Sequence, residues 1–185
     1  MRLFVALPAY DSFLDEIRPF LRSARRLWPA VRWIPEKQIH LTVKFLGETE
    51  RLSCVTEALG TVRAAPFTAG LGRELLVLGK ENEARIIALK LENSAFARLF
   101  RQVDEGLSRC AVPADRRPFL PHITVGRIKE KVSRRAALEI LAGTGPLPRA
   151  EYPCNGLRLY ESILRKEGPE YIIRGEYPFS ESGPV

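Results

Sequence analysis

The sequence predicts an α+β fold in which mainly antiparallel strands carry helices on the outside. Three observations point there. Strand-like segments outnumber what a parallel strand–helix–strand winding needs. Both histidines of the chain open near-identical tetrads, His40-Leu41-Thr42-Val43 and His122-Ile123-Thr124-Val125. A Pro-rich lead-in precedes each tetrad, Arg32-Trp33-Ile34-Pro35 in one case and Arg117-Pro118-Phe119-Leu120-Pro121 in the other, and fixes where its strand begins. A chain of 185 residues is long enough for one sizeable core shared by two lobes. The reading is therefore one domain, residues 1–185, with two pseudo-symmetric lobes and a frayed tail at about 180–185.

Taken in order, Arg2 to Leu7 reads as a buried strand that Pro8 ends. Asp11 or Ser12 can cap a helix carrying Phe13, Leu14, Ile17, Phe20, Leu21 and Leu27 at helical spacing, with Arg22, Arg25 and Arg26 on its solvated face. Val31 to Ile34 is a short strand, and residues 35–38 turn into the first tetrad, whose strand runs on to Leu46 and stops at Gly47. Thr49 caps a helix to about Arg63. Phe67 to Leu71, Glu74 to Leu78 and Ala84 to Leu91 read as three strands, the last two joined by a charged turn at residues 80–83. Asn93 or Ser94 opens a third helix through Leu107, and a loop containing Asp115, Arg116 and Arg117 leads to the second tetrad. Ser133 caps a fourth helix to about Ala142. Residues 143–148 connect to two closing strands, Leu157 to Leu164 and Glu170 to Tyr177, around a Lys166-Glu167-Gly168 turn.

Composition bounds the partners. The hydrophobic fraction of 45% and charged fraction of 28% are ordinary, but a net charge of +7 and a pI near 9.6 draw polyanions such as nucleic acid or phosphates. The opening apolar run ends at Pro8, too short for a signal-peptide core or a membrane span, and no other run approaches membrane length. Cys54, Cys110 and Cys154 are odd in number, widely spaced and without a C-x-x-C pair. They read as three reduced cysteines in a cytoplasmic protein. With two histidines in the whole chain, a zinc site would have to recruit carboxylates, so no metal and no cofactor is expected.

The tetrads carry the chemistry. Side chains alternate along a strand, so His40 faces with Thr42 and His122 with Thr124, while the apolar residues between them enter the core. Two imidazoles at one site can divide the work of proton acceptor and proton donor near neutral pH. The threonine hydroxyls beside them suit the nonbridging oxygens of a phosphate. Lys44 alternates with His40 and Thr42, which makes it a phosphate contact or a solvated lysine. Arg127 falls on the face opposite Thr124 by strict alternation, and needs a bulge, a twist or the strand's end to reach the same ligand. Trp33, Phe119 and the tyrosines read as core residues, with stacking on a base as the alternative.

With these residues in view, His40-Leu41-Thr42-Val43-Lys44-Phe45-Leu46-Gly47 and Pro121-His122-Ile123-Thr124-Val125-Gly126-Arg127 resemble the paired H-x-T-x motifs of the two-histidine (2H) phosphoesterases. More narrowly the chain resembles the RNA 2′,3′-cyclic phosphodiesterases, also called LigT-like 2′-5′ RNA ligases. The residues Met1 to Leu7, Arg32 to Pro35, and Ser162 through Gly168 and Tyr171 extend the likeness over nearly the whole chain. The resemblance implies a bilobal LigT-like fold, with two mainly antiparallel sheets, outer helices and a basic central cleft. It implies metal-independent opening of a terminal ribose 2′,3′-cyclic phosphate to a 2′-phosphate. In that chemistry His122 is the proton acceptor and His40 the proton donor, Thr42 and Thr124 hold the phosphate, and Arg127 assists.

The implied partner is an RNA with a 2′,3′-cyclic phosphate end, or a small cyclic nucleotide, met by a monomer in the cytoplasm. The reverse reaction, joining such an end to a 5′-hydroxyl, would use the same residues. The contrasting expectation is an RNA- or nucleotide-binding module of the same fold with little catalysis. Its mark would be salt-sensitive RNA binding that survives loss of the histidines.

Overall fold

A computed structural model describes residues 1–115, 118–166 and 168–180, so the expectations for Arg116, Arg117, Glu167 and the last five residues lie outside the described residues. Among the described residues the chain forms β1 (Arg2–Pro8), α1 (Asp11–Leu27), β2 (Arg32–Trp33), β3 (His40–Glu48), α2 (Leu52–Gly60), β4 (Phe67–Lys80) and β5 (Glu83–Glu92). There follow α3 (Ala95–Ser108), β6 (His122–Arg127), α4 (Arg134–Leu141), β7 (Glu151–Cys154), β8 (Gly156–Arg165) and β9 (Gly168–Pro178). The α+β class holds.

All strand pairs among these are antiparallel and form one strongly curled sheet in the order β7-β4-β5-β6-β3-β1-β8-β9, with β2 lying against β6. The two sheets expected from the sequence are thus continuous, but only just: β3 and β6 meet at the single pair Leu41–Ile123. One half of the sheet carries His40 and the other His122, and that pair is the seam between them.

The helices cover the outer face of the curl. On α1, Phe13, Leu14, Ile17, Phe20 and Leu21 are buried, each worth ~1.5–3 kcal/mol on full burial. They join Leu3, Val5 and Leu7 of β1 in the main core, and the Tyr152 hydroxyl donates to the Leu7 carbonyl at 2.7 Å. The fourth helix starts as the sequence predicts, with the Ser133 hydroxyl accepting from the Ala136 N–H. Two other caps differ. The first helix begins at Asp11 with no side-chain cap, and Thr49 accepts from the Arg51 N–H in the turn before α2 instead of capping the helix itself.

Three expectations are corrected here. Residues 67–80 form one long strand, because the chain between Leu71 and Leu75 shifts its register on β5 and does not turn back. A further strand, β7, pairs with β4; its Pro153 is compatible with a strand at the sheet's edge. Third, Cys54 on α2 and Cys110 after α3 are joined in a disulfide, with Cα atoms 5.7 Å apart. The expectation of three reduced cysteines fails because the packing of α2 on α3 brings together residues 56 positions apart. Cys154 alone is a thiol, its pKa pushed up to about 12 by burial.

Candidate active site

The duplication seen in the tetrads runs deeper in the ladders. On β1 and β3 the partners are Ala6–Thr42, Val5–Lys44 and Phe4–Phe45. On β5 and β6 they are Ala88–Thr124, Ile87–Gly126 and Ile86–Arg127. The two sets match position for position. In both, a valine (Val43 or Val125) is the extra residue of a β-bulge, and each threonine sits opposite an alanine. Residues 40–45 and 122–127 share one burial pattern in consequence: half-buried, buried, half-buried, buried, buried, exposed.

That shared bulge decides where the two cations go. Beyond Val125 the alternation shifts by one, so Arg127 returns to the face of His122 and Thr124, as the sequence reading required of it. It lies close enough to His40 and to Tyr171 to act on both electrostatically. Beyond Val43 the same shift turns Lys44 away from His40 and Thr42 and puts Phe45 on their side. The expectation of Lys44 as a substrate contact is therefore corrected. Its side chain is 1% exposed, and its ammonium donates to Asp104 on α3 at 2.5 Å and to the Pro113 carbonyl at 2.8 Å, with Asp115 at 3.0 Å. It ties the first motif to α3 and to the loop that leads into the second. At the equivalent position Gly126 leaves room for β2: a Cβ there would lie 2.8 Å from the Val31 side chain and 3.2 Å from the Trp33 ring.

The seam brings the four motif side chains together. With Leu41 opposite Ile123, the antiparallel register aligns His40 with Thr124 and Thr42 with His122. The two histidines are then diagonal neighbours across the seam, near enough for His122 to act electrostatically on His40. Each ring is fixed by its own strand. His40 Nδ1 lies 2.7 Å from the Gln38 carbonyl and His122 Nδ1 lies 2.8 Å from the Leu120 carbonyl. A carbonyl only accepts, so Nδ1 carries a proton in both rings, and Nε2 is the nitrogen left to exchange a proton with a ligand.

The surroundings of the two rings differ. His40 packs among Phe4, Tyr160 and Tyr171, with ring centroids 5.0, 6.2 and 5.5 Å away. Desolvation by these groups lowers its pKa to about 4; the nearby Arg127 and His122 act in the same direction, against the hydrogen bond to Gln38. Burial pushes the Tyr171 phenol up while Arg127, Arg2 and Arg32 oppose it, so Tyr171 stands as a neutral hydroxyl in an electropositive setting. The sequence reading missed Phe4 and Phe45 beside His40, and favoured the core for Tyr160 and Tyr171 with stacking on a base as the alternative. The signal for Phe4 was masked because β1 is apolar on both faces. Trp33 and Phe119 pack against the core as expected, Trp33 with its indole N–H on the Trp28 carbonyl at 3.0 Å and Phe119 stacked on Phe100.

Among the described residues no group of three or more His, Cys, Asp or Glu is placed to hold a metal ion, and no helix is long and apolar enough to cross a membrane. What the arrangement offers is two imidazoles, two hydroxyls and a guanidinium on one face of two strands that meet at the seam, a set suited to proton transfer at a phosphate.

Comparison with known proteins agrees. A family model described as the 2′-5′ RNA ligase superfamily matches residues 9–164. A protein of Archaeoglobus fulgidus named RNA 2′,3′-cyclic phosphodiesterase is 30% identical, over 92% of this chain and 96% of its own. One of the same name from Thermus thermophilus is 33% identical, over 96% of this chain and 92% of its own. A crystal structure of a Thermus thermophilus protein superimposes with a TM-score of 0.76 at 30% identity, covering 96% and 97% of the two chains. Escherichia coli LigT complexed with 3′-AMP does so with a TM-score of 0.77 at 22% identity, covering 97% and 98%, a likeness of fold.

Proposed function

The chain belongs to the 2′-5′ RNA ligase superfamily, and on that premise we propose that it is an RNA 2′,3′-cyclic phosphodiesterase that opens a terminal cyclic phosphate to a 2′-phosphate without a metal. The observation that carries the reading is the meeting of two H-x-T pairs at the Leu41–Ile123 seam, with both imidazoles held at Nδ1 by a backbone carbonyl. Relatives named RNA 2′,3′-cyclic phosphodiesterase that align over most of the chain support the substrate class.

The steps balance on these residues. His122 Nε2 takes a proton from water as its oxygen attacks phosphorus in line with the bond to O3′. That bond breaks, and O3′ takes a proton from His40. Thr42 and Thr124 donate to the nonbridging oxygens, and the Arg127 guanidinium offsets the charge that builds there. With its pKa lowered to about 4, His40 on its own holds no proton on Nε2 at neutral pH. The phosphodiester supplies the negative charge that makes an imidazolium favourable in this desolvated position, so substrate entry loads the acid. With a 5′-hydroxyl in place of water as the nucleophile, the same residues form a 2′-5′ linkage. Water at ~55 M favours hydrolysis unless a second RNA end is held in place.

Both halves of the cleft come from one chain, which supports a monomer as the working unit. An RNA substrate argues for the cytoplasm, and the Cys54–Cys110 bond argues for an oxidising compartment. The test of the reading is turnover of nucleoside 2′,3′-cyclic phosphates, and of RNA ending in one, in the presence of EDTA. A 2′-phosphate product is expected; no turnover on either substrate, or a 3′-phosphate product, would sink it.

A further inference from the structure

We infer that the wall of the cleft beside His40 binds the RNA strand that carries the cyclic phosphate, its terminal nucleoside against Tyr160 and Tyr171 and its upstream phosphates on Lys37, Arg158 and Arg165. The inference rests on the proposed reaction and adds which side of the seam the polynucleotide occupies.

A concavity of about 600 Å³ opens on His40, between the turn that precedes β3 and the β8–β9 hairpin, a size that suits a ligand as large as a nucleotide. The reaction geometry assigns its occupant. In-line attack puts water and the departing O3′ on opposite sides of phosphorus. The ribose keeps O3′ after the bond breaks, so the nucleoside lies with the proton donor, His40, and water with His122.

The chemistry of this wall fits that occupant. The ladders put Arg158 and Tyr160 of β8 on the face of Phe4, and set Tyr171 and Ile173 of β9 beside them. Phe4 stacks on Tyr160, 5.1 Å between centroids at 18°, and meets Tyr171 edge-on. The two tyrosine rings are thereby braced from behind as platforms for a base. Arg158 and Arg165 are engaged with Glu176 and Glu170 at 2.6 and 2.9 Å, but these pairs are solvated and exchange readily for a phosphate. Glu170 is the one carboxylate among the described residues lining the concavity. A nucleoside 2′,3′-cyclic phosphate has one phosphate, which the histidines hold, whereas an RNA chain brings further phosphates to Lys37, Arg158 and Arg165 along the concavity.

The test compares kcat/KM on a nucleoside 2′,3′-cyclic phosphate with that on a short RNA ending in the same group, across a salt series. The double variant Arg158→Gln/Arg165→Gln is set against a charge-matched control on the other half, Lys129→Gln/Lys131→Gln. We expect the ratio of RNA to mononucleotide turnover to fall about tenfold or more in the arginine variant only. Its log–log salt slope should be shallower by about 1.4, the value for two single-strand phosphate contacts. An unchanged ratio and slope, or an equal fall in the lysine control, overturns the side assignment and leaves the proposed reaction standing. Wild-type protein inactive on both substrates removes the reaction and the inference with it.

Discussion

Replacing His40 with glutamine removes an imidazole that the fold holds neutral, and the consequence for stability can be worked out. The pKa of His40 is lowered from 6.5 to about 4, chiefly by desolvation among Phe4, Tyr160 and Tyr171. Between those two values the unfolded chain binds a proton at this position that the folded chain refuses, so stability falls as pH falls. The stability is fully present above the unfolded pKa and is lost through the window down to the folded one. The difference corresponds to about 2 kcal/mol lost by pH 5 and about 3 kcal/mol by pH 4. The His40→Gln variant keeps a polar side chain of similar reach and does not titrate. Urea unfolding of both proteins at pH 7.5, 6, 5 and 4 reads the effect as the gap between their pH profiles, whatever the offset at pH 7.5. The gap should shift by about 2 kcal/mol by pH 5, to the variant's advantage. Parallel profiles would refute the buried-neutral account of His40, and with it the argument that substrate entry loads its proton.

Further outcomes follow from the packing. Lys44→Met should destabilise the fold by about 1–3 kcal/mol, since it leaves the partly exposed Asp104 carboxylate and the Pro113 carbonyl without their buried donor. Adding Asp104→Asn should recover part of that loss in urea unfolding. A role in substrate contact would instead raise KM and leave stability alone. Reducing the Cys54–Cys110 bond frees a 56-residue separation and should cost about 4 kcal/mol. Thiol counting under denaturing conditions should rise from one to three as the reductant is added.

Much of the site was legible because its chemistry is concentrated. Two histidines, each two residues before a threonine, leave little else for a proton-transfer pair, and strand periodicity correctly put His40 with Thr42 and His122 with Thr124 on one face. The same periodicity failed one step later. A bulge adds a residue that a period of two cannot register, so strict alternation brought Lys44 into the cleft and left Arg127 out of it, where the shift at Val43 and Val125 reverses both. The deeper repeat was hidden for a different reason. Ala6 and Ala88 match only through their partners Thr42 and Thr124, which is a property of pairing and not of composition. The aromatic setting of His40 is assembled from β1, β8 and β9, and the disulfide from α2 and the end of α3. These are contacts between segments far apart in the chain, and no local pattern announces them. Strand β7 escaped notice because its four residues, Pro153 among them, lie between the connector at residues 143–148 and the first closing strand and show no strand pattern, while an edge strand tolerates that proline.

The most direct test of the paired-histidine account is kcat/KM on a nucleoside 2′,3′-cyclic phosphate for His40→Ala, His122→Ala and the double variant, measured in EDTA. Groups that act as one acid–base unit are not additive when removed. Each single variant should lose about 10²–10⁴-fold, and the double variant should fall little further. Full activity in either single variant, or losses that multiply in the double, would contradict a single site built on both tetrads.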